Sequence, residues 1–226
     1  WKPQNGKKHT SFLWVFFSFV AALLGGFIIG LGSLYLACGS YADEMFASYF
    51  ENPYILFLNL CVPLLLSAFF FLLTNRAVWS FLLTGVLVMI PSLIHYYKIA
   101  FRGDCLIAED FSLIVESKKM LESYPLFWDA RIELCAAVAA LCVVLLACFA
   151  RGRFRRAWPR LLSALVLALA AFFSLAPLYE SNRIYDTKTA NHSLINAYSE
   201  TQQYISKGFV YPFLHSVKSA FHPAPE

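Results

Sequence analysis

Long runs of apolar residues separated by short polar stretches dominate the pattern along the chain. A helix that crosses about 30 Å of hydrocarbon needs roughly 20 predominantly apolar residues. Five runs have this length and almost no charge, at residues 11–37, 54–74, 78–97, 132–150 and 158–178. They lack the alternation of transmembrane barrel strands. The pattern therefore predicts an all-α integral membrane protein with five transmembrane helices in residues 1–180.

Composition agrees with this class. Of the 226 residues, 59% are hydrophobic and 14% are charged, whereas a soluble domain has roughly a quarter of its residues charged. The chain begins with Trp1 rather than Met, so we expect it to be part of a longer protein.

The basic residues are distributed unevenly among the polar stretches. Lysines precede the first run, Arg76 separates the second and third, and the link between the fourth and fifth reads RGRFRRAWPR. None of these segments contains an acidic residue. Because short cytoplasmic loops are enriched in Lys and Arg, we expect the N-terminus inside and the C-terminus outside. The arginine-rich link is interpreted as an anchor beside anionic lipids, and not as a nucleic-acid site.

Amphipathic segments follow the third and fifth runs. Apolar residues recur at three- and four-residue spacing within 107–122, which predicts an amphipathic helix on the outer membrane surface. Residues 181–226 are predicted to form juxtamembrane helices and a linker. Within them, 193–208 is expected to be helical, with Leu194, Tyr198 and Ile205 on one side and Gly208 as its stop.

The outer end of the third run contains the candidate functional residues. Tyr96 and Tyr97 suit the membrane interface. Lys98 and Arg102 are four residues apart, so on a helix they would present two cations at headgroup depth, where they could bind a lipid phosphate. The other interpretation is ordinary interfacial anchoring, with pairing to Asp104 or Asp110. The sequence does not decide between the two.

Other features carry less information. Gly26 and Gly30 have the GxxxG spacing that permits close approach of another helix, and whether the chain forms a homo-oligomer stays open. The histidines and cysteines show no metal-ligand spacing, so no metal site is expected in this chain. A disulfide between Cys38 and Cys105 could form outside, but no spacing rule favours it.

The region after the third run resembles the lipoteichoic acid synthases and related phosphoglycerol transferases of bacteria. The residues that carry the resemblance follow a YYK..FRG..L...D pattern, namely Tyr96, Tyr97, Lys98, Phe101, Arg102, Gly103, Leu106 and Asp110. A second segment, YISKGFVYPFLHSVKS, is similar to the Y...G....FL...K segment of that family. The chain departs from the family at His95, Cys105 and Ala108, which puts the subgroup in doubt.

The resemblance implies a bacterial plasma-membrane module followed by an extracellular domain of the alkaline-phosphatase and sulfatase type. That domain would use a threonine nucleophile and a divalent metal, typically Mn²⁺, to take glycerol phosphate from phosphatidylglycerol. The present chain contains none of it, so it is expected to anchor the enzyme and to hold phosphatidylglycerol-type lipid with Tyr96, Tyr97, Lys98, Arg102 and Asp110, without catalysing transfer.

Two alternatives belong to other classes. A non-catalytic transporter or lipid-binding protein would need a polar intramembrane site, for which Ser67, Thr84 and Ser92 are the candidates. An intramembrane enzyme is disfavoured, because no paired carboxylates and no His and Ser arrangement lie at a common depth.

Overall fold

The computed structural model describes residues 12–39, 42–113, 127–187 and 198–221, and these are helical with no strand. The helices are α1 (Phe12–Ala37), α2 (Ala42–Glu51), α3 (Pro53–Thr74), α4 (Ala77–Arg102), a 3₁₀ helix (Ala108–Leu113), α5 (Ala130–Phe149), α6 (Ala157–Glu180), α7 (Asn182–Thr187), α8 (Glu200–Ile205) and α9 (Val210–Phe221).

Five of these helices, α1, α3, α4, α5 and α6, are long and apolar enough to cross a membrane. This confirms the prediction of a five-helix, multi-pass membrane protein. One boundary differs in a way that matters for function. The third span continues to Arg102 and does not end at Tyr97, so the candidate residues from Tyr96 to Arg102 lie on the last turns of a spanning helix.

Local signals explain where several of the spans begin and end. The Asn52 side chain accepts hydrogen bonds from the first N–H groups of α3, and Asp129 does the same for α5. Asn75 ends α3 and Gly103 ends α4, each in the left-handed conformation with φ of 59° and 72°. Glycine and asparagine adopt that conformation at low cost, so both ends are encoded locally.

Helix α1 packs closely against α3 through its small residues. A Cβ atom placed on Gly26 would lie 2.7 Å from Ser67 Cβ, and one placed on Gly30 would lie 2.6 Å from Leu60 Cδ2. The GxxxG spacing is therefore used for packing inside this chain. It brings two backbones together where a larger residue would push them apart.

Buried hydroxyl groups join the spanning helices. Ser67 Oγ lies 3.0 Å from Ser80 Oγ, linking α3 to α4, and Ser33 Oγ lies 2.8 Å from Ser92 Oγ, linking α1 to α4. These contacts give each buried hydroxyl a partner in an apolar interior, where an unpaired polar group is costly. Two of the three hydroxyls considered for a transport site therefore form interhelical contacts.

The links at one end of the bundle, here called the arginine-rich end, are fixed to the helices. Asn75 exchanges two hydrogen bonds with the backbone of Phe154, at 2.7 and 3.0 Å. The N–H of Gly152 donates to Ser18 Oγ at 2.8 Å. A Cβ on Gly152 would lie 2.0 Å from the carbonyl oxygen of Trp14, so only glycine fits between the arginines and α1.

The opposite end, here called the cap end, carries α2, the 3₁₀ helix and the C-terminal cap, which we define as residues 199–221. Two surface predictions need correction there. The amphipathic helix predicted over 107–122 is a short 3₁₀ helix, Ala108–Leu113, within the described part, and residues 114–122 lie outside the described residues. The predicted helix over 193–208 spans only Glu200–Ile205, and residues 193–197 lie outside the described residues.

A consequence concerns Tyr198, which was expected to share a helix face with Ile205. Ser199 caps α8 by accepting a hydrogen bond from the Gln202 N–H. Tyr198 therefore precedes the helix, and its side chain is exposed while Ile205 is fully buried. Leu194 lies outside the described residues. Gly208 does stand after the helix end with φ of +85°, as expected of a stop.

Candidate functional site at the cap end

The two tyrosines of the candidate site fasten α4 to the start of α5. The Tyr96 hydroxyl donates to Asp129 Oδ2, and the Tyr97 hydroxyl donates to the Phe127 carbonyl at 2.7 Å. The rings of Tyr97, Phe101 and Phe127 pack together, with the Tyr97 and Phe101 rings stacked 6.0 Å apart. Both tyrosines thus have intramolecular partners at the position where an interfacial belt was expected.

Lys98 is bound within the protein. Its ammonium group donates to Asp110 Oδ2 and to the Cys105 carbonyl, both at 2.7 Å. The same Asp110 oxygen accepts a hydrogen bond of 2.8 Å from the Ile107 N–H. The side chains of Lys98 and Asp110 are 17% and 26% exposed, so this pair is partly shielded from water. The geometry corresponds to the pairing interpretation and fixes the loop after α4.

Arg102 differs from Lys98 although it lies one helical turn away. Its nearest described acidic partner is Asp104, at a distance of 3.9 Å from Nε, and both side chains are more than half exposed. Exposed pairs of this kind contribute little to stability. Of the two candidate cations, Arg102 is therefore the one with a charge that an external anion can reach.

His95 is a functional candidate that the sequence analysis did not select. It is fully buried, and its Nδ1 accepts a hydrogen bond of 3.1 Å from the Leu106 N–H. In a neutral ring this assigns the proton to Nε2. That nitrogen is buried and has no hydrogen-bond partner among the described residues. The ring packs against Phe209 of the C-terminal cap at 4.8 Å, so His95 connects α4, the loop and the cap.

Asn59, a polar residue inside the apolar run of α3, holds the C-terminal cap on the bundle. Its Nδ2 donates to the carbonyls of Ile55 at 2.9 Å and Lys207 at 2.8 Å, while its Oδ1 accepts from the Tyr211 N–H at 3.2 Å. A lone amide in a spanning segment is costly unless it is paired. This cost could have identified Asn59 from the sequence, but Asn59 was not among the polar intramembrane residues selected there.

Other hydrogen bonds fix the C-terminal cap from further directions. The Tyr204 hydroxyl donates to the Leu106 carbonyl at 2.7 Å, and the Tyr49 hydroxyl donates to the Ile205 carbonyl. Thr201 Oγ1 donates to the Gly103 carbonyl at 2.6 Å. Burial raises the pKa values of Tyr49 and Tyr204 well above the usual value, so both hydroxyls stay protonated and keep donating.

A buried cation lies next to these contacts. The Lys207 ammonium stands 3.5 Å from the centre of the Tyr185 ring, and that ring stacks on His215 at 4.1 Å. His215 Nδ1 in turn lies 2.7 Å from the Tyr179 carbonyl. Burial lowers the pKa of Lys207, and Asp186 partly offsets this. The cation is stabilised by an aromatic face, since no described carboxylate forms an ion pair with it.

The start of α5 carries a perturbed carboxylate. Burial raises the pKa of Asp129, but hydrogen bonds from the Tyr96 hydroxyl and from the N–H groups of Ile132 and Arg131 outweigh it and lower the pKa below the usual value. Asp129 is therefore charged at neutral pH and stabilises the positive end of the helix.

The cysteines at the cap end are free thiols, so the Cys38 to Cys105 disulfide considered from the sequence is not present. Cys38 is fully buried and donates to the Leu34 carbonyl at 3.2 Å. Burial raises the pKa of each of these two thiols to about 12. Both behave as small packing residues at neutral pH.

Among the described residues, no group of three or more His, Cys, Asp or Glu side chains is arranged to hold a metal ion.

Comparison of the chain with protein-family models, with curated protein sequences and with solved structures gives no match. The fold itself defines the class as a multi-pass, five-helix membrane protein whose C-terminal helices are bonded to one end of the bundle.

Proposed function

We propose that this chain is the membrane-anchoring module of a lipoteichoic acid synthase-like phosphoglycerol transferase in a bacterial plasma membrane. In this proposal the N-terminus is cytoplasmic and the C-terminus extracellular, because the arginine-rich end carries the charge typical of cytoplasmic loops. An extracellular metal-dependent domain would follow the chain and act on phosphatidylglycerol-type lipid.

The observation that supports this proposal is the attachment of the C-terminal cap. Asn59 binds the backbone of Lys207 and Tyr211, and Tyr204 binds the loop after α4. A domain connected to α9 would therefore start from a defined place at the membrane surface. A flexible tether would leave that starting point undefined.

Such a platform has a direct use for an enzyme with a lipid substrate. The headgroup of a phospholipid stays within a few ångströms of the bilayer surface. An active site held at that height meets its substrate at a high effective concentration and in a restricted orientation. The membrane module would contribute to turnover through position alone, without a reacting group.

The headgroup candidates Tyr96, Tyr97, Lys98, Arg102 and Asp110 contribute unequally to this proposal. The Lys98 ammonium is compensated by Asp110, and the two tyrosine hydroxyls bind the segment before α5. Arg102 is the member whose charge faces outward. We therefore assign the first contact with a lipid phosphate to Arg102 and the shaping of the surface around it to the other four.

Two measurements test the proposed function. The coding sequence after Glu226 should continue into a metal-dependent phosphatase-like domain, and a reading frame that lacks such a domain would contradict the proposal. The parent protein, supplied with Mn²⁺ and fluorescent phosphatidylglycerol, should release diacylglycerol. Absence of release from a folded parent protein would count equally against it.

The alternative of a stand-alone lipid-binding protein is favoured by a separate observation, an apolar groove described in the next subsection. Transport of a polar solute receives less support, because Ser67 and Ser92 are engaged between helices. Of the three candidate hydroxyls, only that of Thr84 is buried without a partner among the described residues.

A further inference from the structure

A groove of about 690 Å³ runs along the bundle between α1, α4 and α5. Its walls are almost entirely apolar, with Phe46 of α2 at the level of the cap end and Val143 toward the opposite end. The volume lies in the range of small-ligand sites. Because α1, α4 and α5 are membrane-spanning helices, the groove faces hydrocarbon, and an acyl chain is the occupant with matching chemistry.

Two glycines give the groove its depth. A Cβ added to Gly85 would meet only Ile29 Cδ1, at 3.9 Å, so the missing side chain leaves open space in the wall formed by α4. On α1, a Cβ added to Gly32 would touch the end of the Met89 side chain at 3.2 Å. The groove is therefore open at this point because residue 85 is a glycine, and a larger side chain there would fill it.

A cation stands at the rim of this groove. Arg131 is in the first turn of α5, and Leu134, Cys135 and Val138, which line the groove, follow at the spacing that places residues on one helix face. The Arg131 guanidinium carbon lies 6.0 Å from the centre of the Tyr35 ring, which also lines the groove. Both observations place Arg131 over the part of the groove that lies nearest the cap end of the bundle.

One nitrogen of the Arg131 guanidinium lacks an acceptor within the described part of the chain. This nitrogen, Nη1, is buried there without a hydrogen-bond partner. The neighbouring Asp129 offsets part of the charge through space, but no hydrogen bond or ion pair joins its carboxylate to the guanidinium among the described residues. A charged donor without an acceptor is costly when buried, and a phosphate oxygen is a strong acceptor for arginine.

We propose that the α1, α4 and α5 groove is a binding site for an anionic phospholipid, with an acyl chain along the groove and the phosphate on Arg131. This inference holds whether or not the parent protein transfers phosphoglycerol. It differs from the headgroup contact assigned to Arg102, which lies on the exposed end of α4. A second groove, between α3, α6 and α9, provides a comparison, because Glu180 and not a cation stands among its lining residues.

Native mass spectrometry of the purified 226-residue chain tests the proposal. The chain would be mixed with equal amounts of phosphatidylglycerol and phosphatidylcholine that have identical acyl chains. We expect phosphatidylglycerol to be retained preferentially, and Arg131→Gln to reduce its binding about tenfold. Arg183→Gln, at an exposed arginine at the same end of the bundle, is the matched control and should leave the preference unchanged. No preference in the wild type, or an Arg131→Gln protein that retains phosphatidylglycerol no less than Arg183→Gln does, overturns the proposal.

A second set of variants tests whether the lipid occupies the groove between α1, α4 and α5. Gly85→Leu and Val138→Phe narrow it from two different helices and should each reduce retention of both lipids. Ala171→Leu, which changes the second groove, is the control for the added volume. Circular dichroism and size-exclusion elution that match the wild type would show that each variant is folded. Undiminished lipid retention in a folded Gly85→Leu or Val138→Phe protein would overturn the assignment to this groove.

Discussion

The side-chain amide of Asn59 donates a hydrogen bond of 2.8 Å to the carbonyl of Lys207, across a separation of 148 residues. Asn59, which belongs to the spanning helix α3, thereby holds the turn between α8 and α9. The same side chain accepts from the Tyr211 N–H at 3.2 Å. The bundle and the C-terminal cap are therefore one unit, joined through a buried amide.

The first prediction concerns this amide. Asn59→Leu keeps the volume but removes the partners of the Lys207 carbonyl and of the Tyr211 N–H. Each buried polar group that loses its partner costs about 1–3 kcal/mol, so we expect a lower unfolding temperature and faster hydrogen exchange in residues 199–221. Asn182→Leu, at an exposed position, is the control. Unchanged exchange of the cap in Asn59→Leu would show that the amide does not hold it.

The second prediction uses two glycines with the same backbone conformation and different surroundings. Gly208 and Gly103 have φ of +85° and +72°. A Cβ on Gly208 would lie 2.5 Å from the Asn59 side chain, whereas one on Gly103 would meet nothing within 4 Å. Gly103→Ala should cost about 1–2 kcal/mol for the left-handed conformation alone, and Gly208→Ala should cost more. Equal losses in thermal denaturation would refute the steric argument.

The spans could be predicted from the sequence because lipid imposes a local requirement of length and apolarity on each helix. The α4 end could also have been placed, since Gly103 after Arg102 is a strong helix stop. The hydrogen-bond and ion-pair partners of side chains could not be predicted in this way where tertiary packing selects them. Lys98 had Asp104 and Asp110 within reach along the sequence, and packing of the loop against α4 selects Asp110.

The structure of the C-terminal cap was also only partly predictable from the sequence. The apolar spacing of Leu194, Tyr198 and Ile205 indicated one helical face, but Ser199 caps α8 after Tyr198 and removes that residue from the helix. The cap of α8 could have been predicted from Ser199, because serine is a common helix N-cap. The burial of Ile205 could not, because it involves a contact with Tyr49 of α2. Long-range contacts of this kind leave no periodic signal.

The third prediction separates the two cations at the end of α4. Lys98→Gln should destabilise the protein by about 1–3 kcal/mol, because it leaves the partly buried Asp110 carboxylate without its cation. Arg102→Gln should change stability by less than about 1 kcal/mol, as expected of an exposed pair. Thermal denaturation in detergent measures both. The double variant Lys98→Gln with Asp110→Asn should recover part of the loss, and a failure to recover would argue against the pair.

The fourth prediction concerns the thiols of Cys38 and Cys105. Their raised pKa values, about 12 in each case, leave very little thiolate at pH 8. We expect both to resist iodoacetamide in the folded protein and to react fully after denaturation, as followed by peptide mass spectrometry. The unfolded protein is the control for reagent access to each peptide. A Cys38 to Cys105 cross-linked peptide in a non-reducing digest would contradict the free-thiol arrangement.

The fifth prediction concerns the lowered pKa of Asp129. A lowered pKa in the folded state means that the stabilisation is complete above the ordinary value of 3.8 and is lost as the pH falls through the folded value. Asp129→Asn keeps a capping oxygen but removes the charge at the helix start. It should therefore cost about 0.3–1 kcal/mol at pH 7, and its unfolding temperature should converge with that of the wild type below pH 3.8.

Tyr96→Phe provides the second arm of this pH experiment. Loss of the hydroxyl that donates to Asp129 should move the carboxyl pKa back toward 3.8, so acid destabilisation should begin at a higher pH than in the wild type. Tyr97→Phe removes a hydroxyl that donates to the Phe127 carbonyl and not to Asp129, which makes it the matched control. An acid transition in Tyr96→Phe that coincides with those of Tyr97→Phe and the wild type would show that the Tyr96 hydroxyl does not set the pKa of Asp129.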